Sequence, residues 1–183
     1  MKTKIFLILF LFVSVKIFAQ TENVAPNFKT VDIYGKQFEL YSSTKPKIIQ
    51  FTRVYCGGKI SEQSATQFGQ LAKIYDKYKD KILFVTITLS SCQSSDSKKI
   101  AEYFGIKWTF INDFSDYNLD IIQKYSSYLK TLHDPALIFV DKNNKVVKTT
   151  NFCEDKKLEE YISLITEKTS STKNNNPTKR RNK

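Results

Sequence analysis

The sequence predicts a single α/β domain in which a central sheet is covered by helices on both faces, a three-layer sandwich. Three observations predict it. Apolar runs of strand length at 47–52, 82–89 and 136–140 are nearly continuous, the pattern of strands buried on both faces. Stretches with apolar residues every three or four positions separate them. Between two compositionally distinct ends lie about 150 residues, enough for one domain with one core.

The first end is not expected to join the fold. Met1-Lys2-Thr3-Lys4 is basic, Ile5 to Val15 is apolar, and Ala19 stands before Gln20, so residues 1–19 read as a signal peptide. The apolar stretch is short for a spanning helix, yet Lys16 and Ile17 also suit an uncleaved anchor. Either way the domain, 20–168, is expected to be exported to the periplasm or cell envelope, where disulfides persist. A membrane contact is expected only if the leader is retained.

Charge separates the other end. The chain has 29 basic and 18 acidic residues, +11. Three basic residues lie in the leader and five in the tail 169–183, neither of which holds an acid, so 21 face 18 in between, +3. A nucleic-acid-binding domain would carry its basic footprint on the folded part. That partner class is not expected. The tail has no apolar residue to bury and reads as a disordered, solvated extension.

The elements follow in order. Phe28 to Leu40 alternates about Tyr34-Gly35-Lys36, an N-terminal β-hairpin. Lys47 to Thr52 is a buried strand, and from about Ser61 a helix carries Ala65, Phe68, Leu71, Ala72, Tyr75 and Tyr78 on one stripe. Ile82 to Leu89 is a second strand, parallel to the first if the helix between is a right-handed crossover. Ser95 or Asp96 can cap a helix ending at Phe104, with Gly105 as its stop. Trp108–Ile111 reads as a short strand and Leu119–Leu129 as a helix with Ile122 and Tyr125 inward. Ala136–Val140 turns through Lys142-Asn143-Asn144-Lys145 into Val146–Thr149. A helix from Glu154 to Thr166 closes the domain, with Leu158, Tyr161, Ile162 and Ile165 on one stripe.

The chemistry centres on Phe51-Thr52-Arg53-Val54-Tyr55-Cys56-Gly57-Gly58-Lys59, where the first buried strand runs toward a helix. Unpaired N–H groups and the positive end of a helix dipole favour a thiolate at such a junction. A half-buried cysteine in a tight turn is the other reading of Cys56.

These residues resemble a known superfamily. The leader, Ala25-Pro26-Asn27-Phe28 with its hairpin, the strand–Cys56–helix junction, and Asp134-Pro135-Ala136-Leu137-Ile138-Phe139-Val140-Asp141 look like the thioredoxin-like superfamily. The nearest type is its exported TlpA/ResA and redoxin (AhpC/TSA-like) branch, over 24–166. The resemblance implies a four-stranded mixed core sheet, a cis peptide before Pro135 packed against the active cysteine, and thiol–disulfide exchange with protein or small-molecule thiols. It implies no cofactor.

The chain departs from that pattern in one place. The family's second cysteine, which releases the mixed disulfide, is replaced by Lys59. Lys59 is expected one helical turn from Cys56, either favouring the thiolate there or facing solvent. Cys92, after the second strand, is the better replacement resolving thiol, and Cys153 the other candidate; a structural Cys92–Cys153 bridge is the alternative. His133, the only histidine, lies two residues before Pro135, as base, ion-pair partner or plain surface. No metal site is expected, because Ile60 stands where copper-carrying Sco-type relatives have a cysteine. Arg53 replaces the Thr that peroxidase relatives need, and Asp134 would oppose a thiolate. Two functions stay open: an oxidoreductase with Cys56 as nucleophile and Pro135 shaping the groove, or an inactive thioredoxin-fold binding or redox-sensing module.

Overall fold

A computed structural model describes residues 23–90, 94–113 and 120–167. The expected leader (1–19) and basic tail (169–183) lie outside the described residues, as does Cys92. The hairpin pairs β1 (Lys29–Val31) with β2 (Gln37–Glu39) in antiparallel register. Gly35, at φ +83°, makes its turn, and the Asp32 carboxylate accepts the Tyr34 and Lys36 N–H groups at 2.9 Å. The remaining elements are β3 (Lys47–Val54), α1 (Glu62–Tyr78), β4 (Leu83–Ser90), α2 (Ser94–Tyr103), β5 (Thr109–Asn112), α3 (Asp120–Lys124), α4 (Ser126–Leu129), β6 (Ala136–Val140), β7 (Val146–Thr150) and α5 (Asp155–Glu167).

The main sheet has the order β5-β4-β3-β6-β7. β3, β4 and β5 are parallel, joined through α1 and α2, while β6 pairs antiparallel with β3 and β7 with β6. The four strands implied by resemblance are β4, β3, β6 and β7; β5 adds an edge.

Alternation along β3 sorts the core into two layers. Ile48 and Val54 face a cluster with Phe68, Leu71 and Ile74 of α1, Ile100 of α2, and Leu158, Ile162 and Ile165 of α5. Ile49 and Phe51 face the opposite cluster, with Phe28, Leu40, Ile121 and Tyr125. Helices therefore cover one face, and the hairpin with α3 and α4 covers the other. This is the three-layer sandwich expected.

Two helices differ from expectation. The segment expected as one helix to Leu129 is two short ones, broken at Tyr125 (φ −94°, ψ 4°); Leu119 is outside the described residues. Tyr125 is wholly buried, its ring 5.2 Å from Phe51 and 6.2 Å from Phe28, and its hydroxyl donates to the Pro26 carbonyl at 2.8 Å. Packing of one ring sets the break, and with it the chain's entry into the domain. α2 starts at Ser94, so Asp96 lies within its first turn rather than capping it. It stops as expected, with Gly105 at φ +60° and the Ile106 N–H donating to the Ala101 carbonyl.

Tyr125→Phe is expected to lower stability by about 1 kcal/mol, the worth of a typical buried hydrogen bond. Tyr125→Ala should cost roughly 3–5 kcal/mol through lost packing. Urea denaturation of both checks this, and a Tyr125→Phe midpoint equal to that of the natural protein contradicts the role given to the hydroxyl.

Candidate functional site

The parallel register of β3 on β4 ends with Val54 opposite Ser90. Beyond Val54 the chain does not enter a helix. Tyr55 and Lys59 form an antiparallel bridge: the Tyr55 N–H donates to the Lys59 carbonyl at 2.7 Å, and the Lys59 N–H returns to the Tyr55 carbonyl at 3.3 Å. The three residues between them turn through Gly57 (φ +79°) and Gly58 (φ +75°), a left-handed pair that side chains resist. Cys56 opens this turn, exposed at the rim of the sheet.

The expectation for Lys59 is corrected here. It is not one helical turn from Cys56 but at the closing position of the Tyr55–Lys59 bridge, exposed and outside α1. The glycine pair bends the chain away before α1 begins at Glu62. The helix end is also occupied: Ser61 is its N-cap and accepts the Ser64 N–H at 3.1 Å. One of the N–H groups at the helix start is thus taken by Ser61.

What lies near the turn is a carboxylate. The Gly57 N–H, one peptide unit from Cys56, donates to Asp96 Oδ2 at 3.0 Å. Asp96 is 6 % exposed, and its Oδ1 meets the Lys99 ammonium at 3.3 Å. A second carboxylate ties β3 to α1. Asp134 Oδ1 is reached by the Thr52 hydroxyl (2.8 Å), the Arg53 N–H (2.9 Å) and the Ser64 hydroxyl (3.1 Å), and Oδ2 by the Ser61 hydroxyl (3.1 Å). The hydroxyls also approach one another, Thr52 to Ser64 at 2.7 Å and Ser61 to Ser64 at 2.9 Å, so their protons are shared around the cluster. The Asp134–Pro135 peptide is cis, as expected, and Pro135 is buried where β6 begins.

Cys56 is held in a disulfide. Cys153 is a free thiol, 1 % exposed within the α1/α5 core layer. Its N–H donates to Gln67 Oε1 at 2.8 Å, and burial pushes the thiol up to about 11. Cys92, the resolving thiol expected from sequence, lies outside the described residues. His133 is exposed, its backbone N–H on Asn151. Among the described residues no group of three or more His, Cys, Asp or Glu is placed to hold a metal ion.

The structure thus brings Cys56, Gly57 and Asp96 together, and separately Thr52, Ser61, Ser64 and Asp134. Sequence reasoning missed both carboxylate anchors. A signal existed for the second: Thr52 falls on the same phase of β3 as the buried Ile48 and Val54, where an apolar residue is the default.

No family model and no curated protein matches the chain. Solved structures do. The C-terminal domain of a Bacteroides thetaiotaomicron protein named as a thiol-disulfide oxidoreductase superposes with a TM-score of 0.65 at 22% identity, over 80% of this chain and 95% of that one. A thioredoxin-family thiol:disulfide interchange protein from Chlorobium tepidum gives 0.67 at 15% identity, over 79% and 97%. A secreted Mycobacterium tuberculosis disulfide oxidoreductase gives 0.60 at 15%, over 75% and 95%. The fold is thioredoxin-like.

The buried Cys153 thiol supplies a pH test. Its folded pKa is raised, so its contribution is present below the unfolded value, near 8.5, and is lost as pH rises toward about 11. The stability of the natural protein minus that of Cys153→Ala should fall across that window by up to roughly 1.4 kcal/mol per pH unit. A difference independent of pH, measured by urea denaturation between pH 8 and 10.5, contradicts the burial argument.

Proposed function

We propose that the protein is an exported thiol–disulfide oxidoreductase whose Cys56 is the nucleophile and whose Cys92 is the resolving thiol. One observation carries the reading: Cys56 is exposed at the sheet rim and already in a disulfide, while Cys153 is free and buried. Cys92 is the remaining cysteine of the chain and follows Ser90 by the same two residues by which Cys56 follows Val54, the partner of Ser90 in the parallel register. The names of the structural neighbours, thiol-disulfide oxidoreductases among them, favour the same chemistry.

In the reduced protein the Cys56 thiolate attacks one sulfur of a substrate disulfide. The substrate S–S bond breaks, its other sulfur leaves as a thiolate and takes a proton, and a mixed disulfide joins Cys56 to substrate. The Cys92 thiolate then attacks the Cys56 sulfur, releasing the second substrate thiol and closing Cys56–Cys92. Two electrons pass from the protein dithiol to the substrate, and an external dithiol restores the reduced state. Pro135, buried at the start of β6, shapes the groove beside the nucleophile. Lys59, exposed at the closing position of the turn, takes no part in proton transfer. The leader 1–19 delivers the domain, 20–168, to an oxidising compartment.

The direction of electron flow follows from Asp96. A thiolate formed at Cys56 stands one peptide unit from the N–H that this carboxylate already occupies. Like charges disfavour the reduced, ionised form and so favour the disulfide, which makes the dithiol a donor of electrons. Lys99 offsets part of this charge from a solvated position.

A static staple is the second reading, favoured by the same anchoring of Gly57. An insulin disulfide-reduction assay separates the two. The mature protein with dithiothreitol should accelerate precipitation over dithiothreitol alone, Cys56→Ser should abolish the acceleration, and Cys92→Ser should leave a trapped mixed disulfide. Asp96→Asn should shift the equilibrium with glutathione toward the dithiol about fivefold, for a Coulomb effect of about 1 kcal/mol. An inactive natural protein that folds normally overturns the enzymatic reading. An unchanged equilibrium in Asp96→Asn overturns the electrostatic one.

A further inference from the structure

Beside the Cys56 turn the surface opens into an apolar cleft of about 340 Å³. Gly58 forms one wall, Ile60 just before α1 and Ala65 within it a second, and Ile100 and Tyr103 of α2 with Phe104 just after it the facing side. Tyr103 is 83 % exposed, far above what a ring of its size needs for packing, and it stands edge-on to Phe104 at 4.9 Å. Among the described residues of the lining, Lys99 is the only charged one. Its ammonium has three protons, one of them directed at Asp96, and its side chain is 65 % exposed.

We propose that this cleft is the specificity pocket for a polypeptide substrate that presents an aromatic side chain one or two residues from its half-cystine, with an acidic residue adjacent. The inference rests on the redox reading of Cys56 and names the substrate class for it. Three features argue for this occupant. Cys56 and the Gly58 wall are two residues apart, at most about 7 Å of chain, so a substrate bonded to the Cys56 sulfur reaches the cleft within that span. A cleft of this volume with an exposed tyrosine at its lip accepts a planar ring edge-on or offset. The Lys99 ammonium at its border, with Lys59 between the lining residues Gly58 and Ile60, complements a carboxylate and opposes a basic neighbour. Asp96 is 6 % exposed and paired with Lys99, so it presents little carboxylate surface to a cation in the cleft.

Direct binding to the oxidised mature protein tests this without calling on the chemistry. The probes are fluorescent hexapeptides in which Ser replaces the half-cystine, carrying Glu before it and Phe after it, with Gly replacing Phe or Lys replacing Glu in two companions. Anisotropy should show the Glu/Phe peptide binding about tenfold tighter than its Gly companion, the worth of one buried aromatic side chain. The Lys companion should bind several-fold more weakly. Tyr103→Ala, a change at an exposed position whose folding is checked by thermal melting, should remove most of the Phe advantage and leave the Gly peptide unaffected. Equal affinity of the Phe and Gly peptides, no measurable binding, or a Phe advantage that survives Tyr103→Ala overturns the proposal. So does sedimentation showing a second copy of the chain in the cleft. Insulin reduction run in parallel keeps the readings apart. Turnover without peptide discrimination removes the pocket and keeps the enzyme, and discrimination without turnover does the reverse.

Discussion

The Asp134 carboxylate is the constraint on which the site depends. It gathers the end of β3, through Thr52 and the Arg53 N–H, and the start of α1, through Ser61 and Ser64. Pro135 follows it directly, so the same residue sets where β6 enters the sheet. A partly buried carboxylate requires donors, and here three hydroxyls and a backbone N–H supply them. Any other arrangement of strand end and helix start would leave that charge or those hydroxyls unpaired. Ser61 also caps the helix end, taking the Ser64 N–H.

The glycine pair follows from the same geometry. Six residues lead from the end of β3 to the Ser61 cap, and the Tyr55–Lys59 bridge turns them with two left-handed positions. Asp96, held from α2, accepts the N–H in the middle of the turn. Three separate elements thus fix the peptide next to Cys56, although the residue itself is exposed. The backbone beside this cysteine is thus held at several points, while the residue itself lies at the surface. Lys59, not a cysteine, stands three residues after Cys56, and it closes the bridge rather than lying in α1. An i+3 thiol has no helical turn to sit on.

Much of the fold was legible because it rests on period and punctuation. The runs at 47–52, 82–89 and 136–140 are all strands of the main sheet, and Gly35 and Gly105 mark the turns expected of them. The break at Tyr125 was not legible, because a ring filling the space between Phe28 and Phe51 is a tertiary demand that local periodicity does not record. The turn at the sheet rim was legible in position but not in its contacts. Cys56 could be placed at the end of a buried strand and the cis peptide at Pro135 through the resemblance, whereas the Asp96 contact spans 39 residues and the Asp134 contact with Arg53 spans 81. Glycines after a cysteine suggest a helix entry and a tight turn equally well. Only the bridge from Tyr55 to Lys59 decides between them.

The central claim is that Cys56 works through a bond that forms and breaks with Cys92. Non-reducing peptide mapping of the mature protein, before and after reaction with a stoichiometric dithiol and again after a disulfide substrate is added, tests it most directly. The account predicts a Cys56–Cys92 linked peptide at the start, its loss on reduction, its return with substrate, and an unmodified Cys153 throughout. A Cys92–Cys153 bridge, or a Cys56 bond that stays intact while substrate is turned over, would contradict it.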